Sequence, residues 1–136
     1  THHTLLLVED EELVRRPTVR ALQALGYKVL EAPGPREALE LLRQWQAPLD
    51  LLVTDMVMPG GNGLDLSHAA RQLRPGLPVL LVSGHISDDT TLDTLRQRNV
   101  DFLGKPYLPA ELAARIQAIL GRAAAPAVQP STTRRT

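Results

Sequence analysis

Leu5-Leu6-Leu7-Val8-Glu9-Asp10-Glu11 passes from four aliphatic residues straight into three acidic ones. A run that is apolar at every position, not at alternate ones, is how a strand buried on both faces reads. The acidic residues that follow are then delivered to one edge of a sheet. The same grammar recurs along the chain. Leu51-Leu52-Val53 leads into Thr54-Asp55-Met56-Val57-Met58-Pro59-Gly60, Val79-Leu80-Leu81 into Val82-Ser83-Gly84, and Phe102-Leu103 into Gly104-Lys105-Pro106. Strands are expected at Leu5–Val8, Lys28–Ala32, Leu49–Thr54, Val79–Ser83 and, shortest, Asp101–Gly104.

Between these runs lie segments with helical spacing. In Glu12–Leu25 the residues Leu13, Val19, Leu22 and Leu25 recur at helical intervals, and Gly26 supplies a stop. Pro35–Trp45 carries Ala38, Leu39, Leu41, Leu42 and Trp45 mostly on one side, with Pro35 suited to a first turn. Leu64–Leu73 ends in Arg74-Pro75-Gly76, and Pro109–Leu120 closes at Gly121. Two places fit less well. Pro17 falls beyond the first turn of its helix, where it removes a hydrogen bond. Ile86–Asn99 has only Ile86, Leu92 and Leu95 as anchors, so its helix is expected to be the least stable. Strand–helix alternation repeated five times implies an α/β fold: a doubly wound parallel sheet with right-handed crossovers and helices on both faces. Ligands in such folds bind at the carboxyl ends of the strands, where strand order reverses. All four polar fragments sit at such ends.

Composition narrows the function classes. At 136 residues the chain has room for one domain with a proper core. Lys plus Arg equals Asp plus Glu at 15 each, so no global field draws it to nucleic acid or a membrane. The absence of cysteine excludes a disulfide scaffold, a thiolate zinc site and a cysteine nucleophile. No apolar run approaches the ~20 residues of a membrane helix, and no signal peptide is visible. A cytoplasmic protein is the expectation. His2 and His3 read as the remnant of a tag and carry no chemical weight. Ala123–Thr136, rich in Ala, Pro and Thr, reads as a disordered tail, giving a domain over residues 1–121 and a tail or linker over 122–136.

The acidic residues have two readings. Asp10 can cap the first helix, with Glu9 and Glu11 favouring its positive end. Alternatively, Glu9 and Asp10 together with Asp55 hold a hard divalent cation such as Mg²⁺, which relieves the repulsion between adjacent carboxylates. Asp55 on a neighbouring strand end tips the balance to the cation site. A carboxylate there is also a nucleophile toward phosphorus. Lys105 can bring an ammonium to Asp55 or to phosphoryl oxygens, and its bond to Pro106 is a candidate for cis geometry. Ser83 can donate its hydroxyl to a phosphoryl oxygen. Asp50 precedes its strand, so it is expected at the opposite edge, merely solvated; Asp65, Asp88, Asp89 and Asp93 read as surface or capping residues.

These fragments, in this order and at these spacings, resemble the receiver domain of two-component response regulators, including receivers fused to hybrid sensor histidine kinases. The resemblance covers about residues 4–121. It implies a flavodoxin-like (βα)5 fold with strand order 2-1-3-4-5. It further implies that Asp55 accepts a phosphoryl group from a phosphohistidine on a histidine kinase or phosphotransfer domain. Glu9 and Asp10 would hold Mg²⁺ with Asp55 and the Val57 backbone carbonyl. Ser83 would be the switch hydroxyl, Lys105 the phosphoryl-binding lysine and Phe102 the switch aromatic. Val57 and His85 would occupy the positions that tune phosphoryl lifetime. The sequence departs from the family habit at Ser83, where threonine is frequent, and at Gly84, where alanine is. Apolar Val57 offers no group to position an attacking water, whereas His85 either orients water or covers the site.

Four rivals are weaker. An interaction module that is no longer phosphorylated would have lost part of the acidic pair, the aspartate or the lysine, and all are present. A Mg²⁺-dependent phosphatase would carry an Asp-x-Asp nucleophile after the first strand and a cap domain; Glu9-Asp10-Glu11 does not match. Gly60-Gly61-Asn62-Gly63 lacks the Gly-Lys-Ser/Thr ending of a phosphate loop and reads as a turn, and Ser83 lacks the context of a hydrolase nucleophile. The chain is thus expected to promote its own phosphorylation without acting on external substrates. It is read as a single-domain regulator or a receiver cut from a larger protein, with no nucleic-acid or membrane contact of its own. Its output partner is open, and the polar fourth helix leaves open a homodimer through the helix 4–strand 5–helix 5 face.

Overall fold

The computed structural model describes residues 3–84 and 89–124. Strand β1 (Thr4–Val8) is followed by α1 (Glu12–Ala24), β2 (Lys28–Ala32), α2 (Pro35–Gln44) and β3 (Leu51–Asp55). A two-residue hairpin, β4 (Val57–Met58) and β5 (Gly61–Asn62), then leads to α3 (Gly63–Leu73). The chain continues through β6 (Val79–Ser83), α4 (Asp89–Gln97), β7 (Val100–Gly104) and α5 (Pro109–Ala124). The five long strands are parallel in the order β2-β1-β3-β6-β7. With the hairpin set aside this is the expected order 2-1-3-4-5, reversing between β1 and β3.

Alternation of side chains along each strand divides the core in two. Leu5, Leu7, Leu51, Val53, Leu80 and Val82 pack on one face against α1 and α5. Leu6, Val8, Leu52, Val79 and Leu81 pack on the other against α2, α3 and α4. β3 and β6 are buried at every residue, which is why they read as unbroken apolar runs.

Several local expectations are modified. The helix over Glu12–Leu25 forms, but only Val19 and Leu22 of its stripe are buried; Leu13 is 91% exposed and Leu25 is also exposed. Pro17 lies inside α1 without ending it. The carbonyl it deprives of a donor belongs to solvent-exposed Leu13, so water can take the place of the missing bond. Trp45 falls just past α2, where Lys28 Nζ stands 4.9 Å from the ring centroid. Leu95 anchors α4 and Leu92 is half-buried, while Ile86 lies outside the described residues. α5 does not stop at Gly121 but runs on to Ala124. Gly121 is exposed with open space around it, and the arginine and alanines that follow are good helix formers. Of the expected tail 122–136, the first three residues are therefore helical, and residues 125–136 lie outside the description.

Asp50 does stand at the opposite edge, as expected, but it is not merely solvated: its Oδ2 accepts a 2.8 Å hydrogen bond from the Thr4 amide. Asp93 pairs with Arg96, and Asp65 lies in the first turn of α3, its amide donating to the capping Asn62. Asp88 is outside the description, as is the Asp89 side chain.

One close approach fixes the route of the chain past the carboxyl edge. The Gly63 amide donates to the Met56 carbonyl at 2.7 Å, and a Cβ on Gly63 would lie 2.3 Å from the Asp55 carbonyl oxygen. No side chain fits there unless the backbone of β3 moves. Gly63→Ala is expected to destabilise the fold by about 1–3 kcal/mol, the range for overpacked sites. Thermal unfolding of that variant beside Gly121→Ala, which meets open space, checks it; equal melting temperatures would show that the backbone yields freely.

Candidate functional site

The reversal of strand order opens a crevice between the ends of β1 and β3. Asp55 is the last residue of β3 and is 7% exposed. Glu9, one residue past β1, is equally buried, and its amide donates to the Ala32 carbonyl at 3.1 Å, continuing the sheet. Asp10 is exposed. One carboxylate oxygen from each of Glu9, Asp10 and Asp55 lies within 4.8 Å of the others.

Lys105 completes the cluster. Its Nζ stands 2.9 Å from Asp55 Oδ1 and 3.7 Å from Glu9 Oε1. The Lys105 amide donates to the Ser83 carbonyl at 2.7 Å, and the Lys105–Pro106 bond is cis, as the sequence allowed. Sheet alternation explains the convergence: Glu9 continues the parity of Leu5 and Leu7, Asp55 that of Leu51 and Val53, and all these residues point toward the α1/α5 side.

The electrostatics are unbalanced. Three carboxylates meet one ammonium. Burial pushes the Glu9 carboxyl up to about 7, and a hydrogen bond with Asp55 and the Asp55 charge push the same way. The Glu11 amide, donating to Glu9 Oε2 at 3.1 Å, and the Lys105 charge oppose the rise. Burial works against the Lys105 ammonium, but Asp55 and then Glu9 outweigh it, so the lysine holds its proton above the ordinary range. The donor set suits a hard divalent cation: three converging carboxylates, one of them without a side-chain partner among the described residues, and a net negative charge. The helix-cap reading of Asp10 fails, because Glu11 is the N-cap of α1 and no side chain caps it.

Three of the remaining predicted residues fall among those described. Ser83 ends β6 and is buried, one position beyond the Asp55–Val82 register pair. Phe102 is half-buried in β7 and packs against the α2/α3/α4 core. Val57 lies on β4 beside Asp55 and is 79% exposed. His85 lies outside the described residues.

Two neighbours escape a motif reading. Tyr107 shares a cavity of about 10 Å³, the size of one water, with Glu9, Asp55 and Thr18. Burial raises the pKa of its phenol and the nearby Lys105 charge opposes the rise. An aromatic two residues after the lysine was the available signal. Arg15 is the other: its Nη1 donates to the Glu9 carbonyl at 2.9 Å. Only its helical position one turn after the acidic residues hinted at that contact.

Comparison with known proteins fits this geometry. The description "Response regulator receiver domain" matches residues 5–117. The sensor kinase CckA of Brucella abortus (strain 2308) is 38% identical over 117 residues, covering 86% of this chain and 12% of CckA. The response regulator receiver protein CpdR of the same strain is 32% identical over 116 residues, covering 85% of this chain and 95% of CpdR. Among solved structures, the receiver domain of the hybrid histidine kinase CckA superposes with a TM-score of 0.73 at 37% identity, covering 86% of this chain and 98% of that one. The chemotaxis protein CheY4 of Vibrio cholerae gives 0.78 at 26% identity, covering 88% and 99%. The chain spans about half or less of three of the first curated relatives it matches, and nearly all of CpdR. A buried aspartate at a strand end, an acidic pair beside it and a lysine reaching it thus stand in a chain that belongs to the response regulator receiver domain family of two-component signalling proteins.

Proposed function

We propose that Asp55 accepts a phosphoryl group from a phosphohistidine on a histidine kinase or phosphotransfer domain, and that the resulting aspartyl phosphate changes how the chain engages a partner. The observation that carries this reading is the convergence of Glu9, Asp10, Asp55 and Lys105 on one crevice. An Asp55 oxygen forms the new bond to phosphorus as the bond to the imidazole nitrogen breaks, and the ring, protonated on its other nitrogen, leaves as neutral imidazole. Such a transfer needs alignment and charge neutralisation more than covalent machinery. Lys105, already on Asp55 Oδ1, follows the growing charge onto the phosphoryl oxygens. Glu9 and Asp10, with the Asp55 carboxylate and the Val57 carbonyl, would hold Mg²⁺, which supplies the remaining positive charge when bound.

The new dianion then draws the Ser83 hydroxyl inward, and Phe102 turns into the space left behind. A local charge in this way biases a two-state element beside α4. Val57, exposed and apolar, leaves no group on that side to orient water, which favours a long-lived phosphate; His85 sets the other side. The functional unit is residues 1–121 with the last turn of α5, and it acts in the cytoplasm. No helix among the described residues is long and apolar enough to cross a membrane. The attached or separate output partner reads the α4–β7–α5 face, through which two copies can also pair.

Intact-mass measurement after incubation with a small phosphodonor tests the chemistry. One phosphoryl group is expected on the native chain with Mg²⁺, and none without Mg²⁺ or in Asp55→Asn. Lys105→Ala is expected to slow the transfer on the order of 10²-fold, as for loss of a charge-stabilising donor elsewhere. A folded chain that gains no mass under any condition would leave the interaction module as the better reading.

The raised Glu9 pKa gives a second test, independent of phosphate. Its folded value of about 7 exceeds the ordinary 4.5, so the folded state binds the proton more tightly than the unfolded chain. That contribution to stability is full below about pH 4.5 and is lost as pH rises through about 7, at on the order of 1 kcal/mol per pH unit. Mg²⁺ must displace this proton, so its stabilising effect should grow in the same window. Melting temperatures at pH 5.5 and 8 are expected to fall for the metal-free chain, with a larger Mg²⁺-induced rise at pH 8. Glu9→Gln should flatten the metal-free decline; a decline unchanged by that substitution would assign it to other groups.

A further inference from the structure

Arg15 stands one turn into α1 with its side chain only 13% exposed. Its Nε lies 2.9 Å from Oε1 of Glu31 on β2, and Arg16 approaches the other oxygen, Oε2, at 3.5 Å. Its Nη1 donates to the Glu9 carbonyl at 2.9 Å. A tie between α1 and β2 would account for the first contact and leaves the second without a purpose. On charge alone the placement is unfavourable, because a guanidinium beside a cation site repels the cation.

The geometry accounts for it. The Glu9 carbonyl belongs to the peptide plane that joins Glu9 to Asp10, so a donor fixed on that oxygen fixes the plane. Around it, the Glu9 amide is held by Ala32 and the Glu9 carboxylate by the Glu11 amide. Asp10 is exposed and has no side-chain partner among the described residues. Its direction therefore depends on the two peptides that flank it: the Glu9 carboxylate grips the one to Glu11, and Arg15, itself held by Glu31, grips the one from Glu9. The planar fork of a guanidinium can bond the carboxylate and the carbonyl at once, which an ammonium on a flexible stem does less well.

We propose that Arg15, braced by Glu31, is a positioning residue for the cation site: it locks the Glu9–Asp10 peptide so that both carboxylates converge with Asp55. This rests on the reading of that cluster as a Mg²⁺ site. It resembles the outer partners of other metal centres, whose loss weakens binding although they touch no metal.

Charge and positioning predict opposite signs, which makes the test sharp. Calorimetric titration of MgCl₂ into the unphosphorylated chain at pH 8 gives the affinity directly, without any phosphoryl transfer. Arg15→Met removes a positive charge, so a purely electrostatic role tightens Mg²⁺ binding. Positioning instead weakens it, by about tenfold or more. Arg15→Lys keeps the charge without the fork and is expected to weaken binding as well. Metal-free melting followed by circular dichroism shows that each variant is folded; if Arg15→Met lacks a cooperative melt, Arg15→Lys alone decides by the same criterion. Affinity unchanged or tightened in the folded variants overturns the proposal while leaving the cation site intact. A native chain that binds no Mg²⁺ overturns the cation reading itself, and this inference with it.

Discussion

Three carboxylates within 4.8 Å and one ammonium between two of them set the terms for everything at the carboxyl edge of the sheet. Left alone, that much negative charge would splay apart or protonate, and Glu9, raised to about 7 by burial first and by Asp55 second, is the group disposed to protonate. The fold prevents the splaying. β1 and β3 are adjacent parallel strands with core on both faces, so Glu9 and Asp55 cannot separate without breaking the centre of the sheet. The unfavourable juxtaposition is stable because burial of the leucines and valines beneath it is worth far more than the repulsion.

The same constraint explains how much the sequence could show. Continuous apolar runs ending in Glu9-Asp10, Asp55, Ser83 and Lys105 require strands buried on both faces, and helical segments between them require crossovers. From that, a doubly wound parallel sheet and the shared edge follow, whereas the strand order 2-1-3-4-5 is what the resemblance to receiver domains implies. Strand parity carries a further signal, since it sends Glu9 and Asp55 to the same side as Leu7 and Val53. What periodicity misjudged was α1. Leu13 and Leu25 match the helical stripe by spacing, yet the helix covers only one edge of the sheet and buries just Val19 and Leu22. Spacing tells which residues share a face; it does not tell how wide a surface waits opposite.

Other features were illegible for a different reason. Gly63, Arg15 and Asp50 act on backbone atoms: the Asp55 carbonyl, the Glu9 carbonyl and the Thr4 amide. Contacts of this kind carry no composition signal, because the partner atom is the same in every residue. Asp50 looked idle by its edge, and it is in fact a cap for the start of β1, satisfying an amide that the first residue of a strand would otherwise leave to solvent. Tyr107 lies between these cases: its aromatic ring was visible, but the cavity it shares with Asp55 exists only once α1 closes over the loop.

The far end of the molecule shows where a change in charge at Asp55 has room to act. α4 is fixed unequally along its length. At its carboxyl end the Arg71 guanidinium donates to the carbonyls of Leu77, Arg98 and Asn99, binding the α4–β7 turn to α3 and to the start of β6. Burial lowers the Arg71 pKa, as expected for a guanidinium spent on neutral carbonyls, with the Asp101 charge opposing. Toward its amino end Thr91 and Leu92 are half-buried, and Leu95 is the first fully buried residue of the helix among those described. A helix clamped at one end, with no fully buried side chain among the described residues of its first half, has little buried surface there to lose when its angle changes. The chain that leaves Ser83 leads into the amino end of α4, not the clamp. On the proposed reading, movement of the Ser83 loop therefore meets the part of α4 least able to resist it.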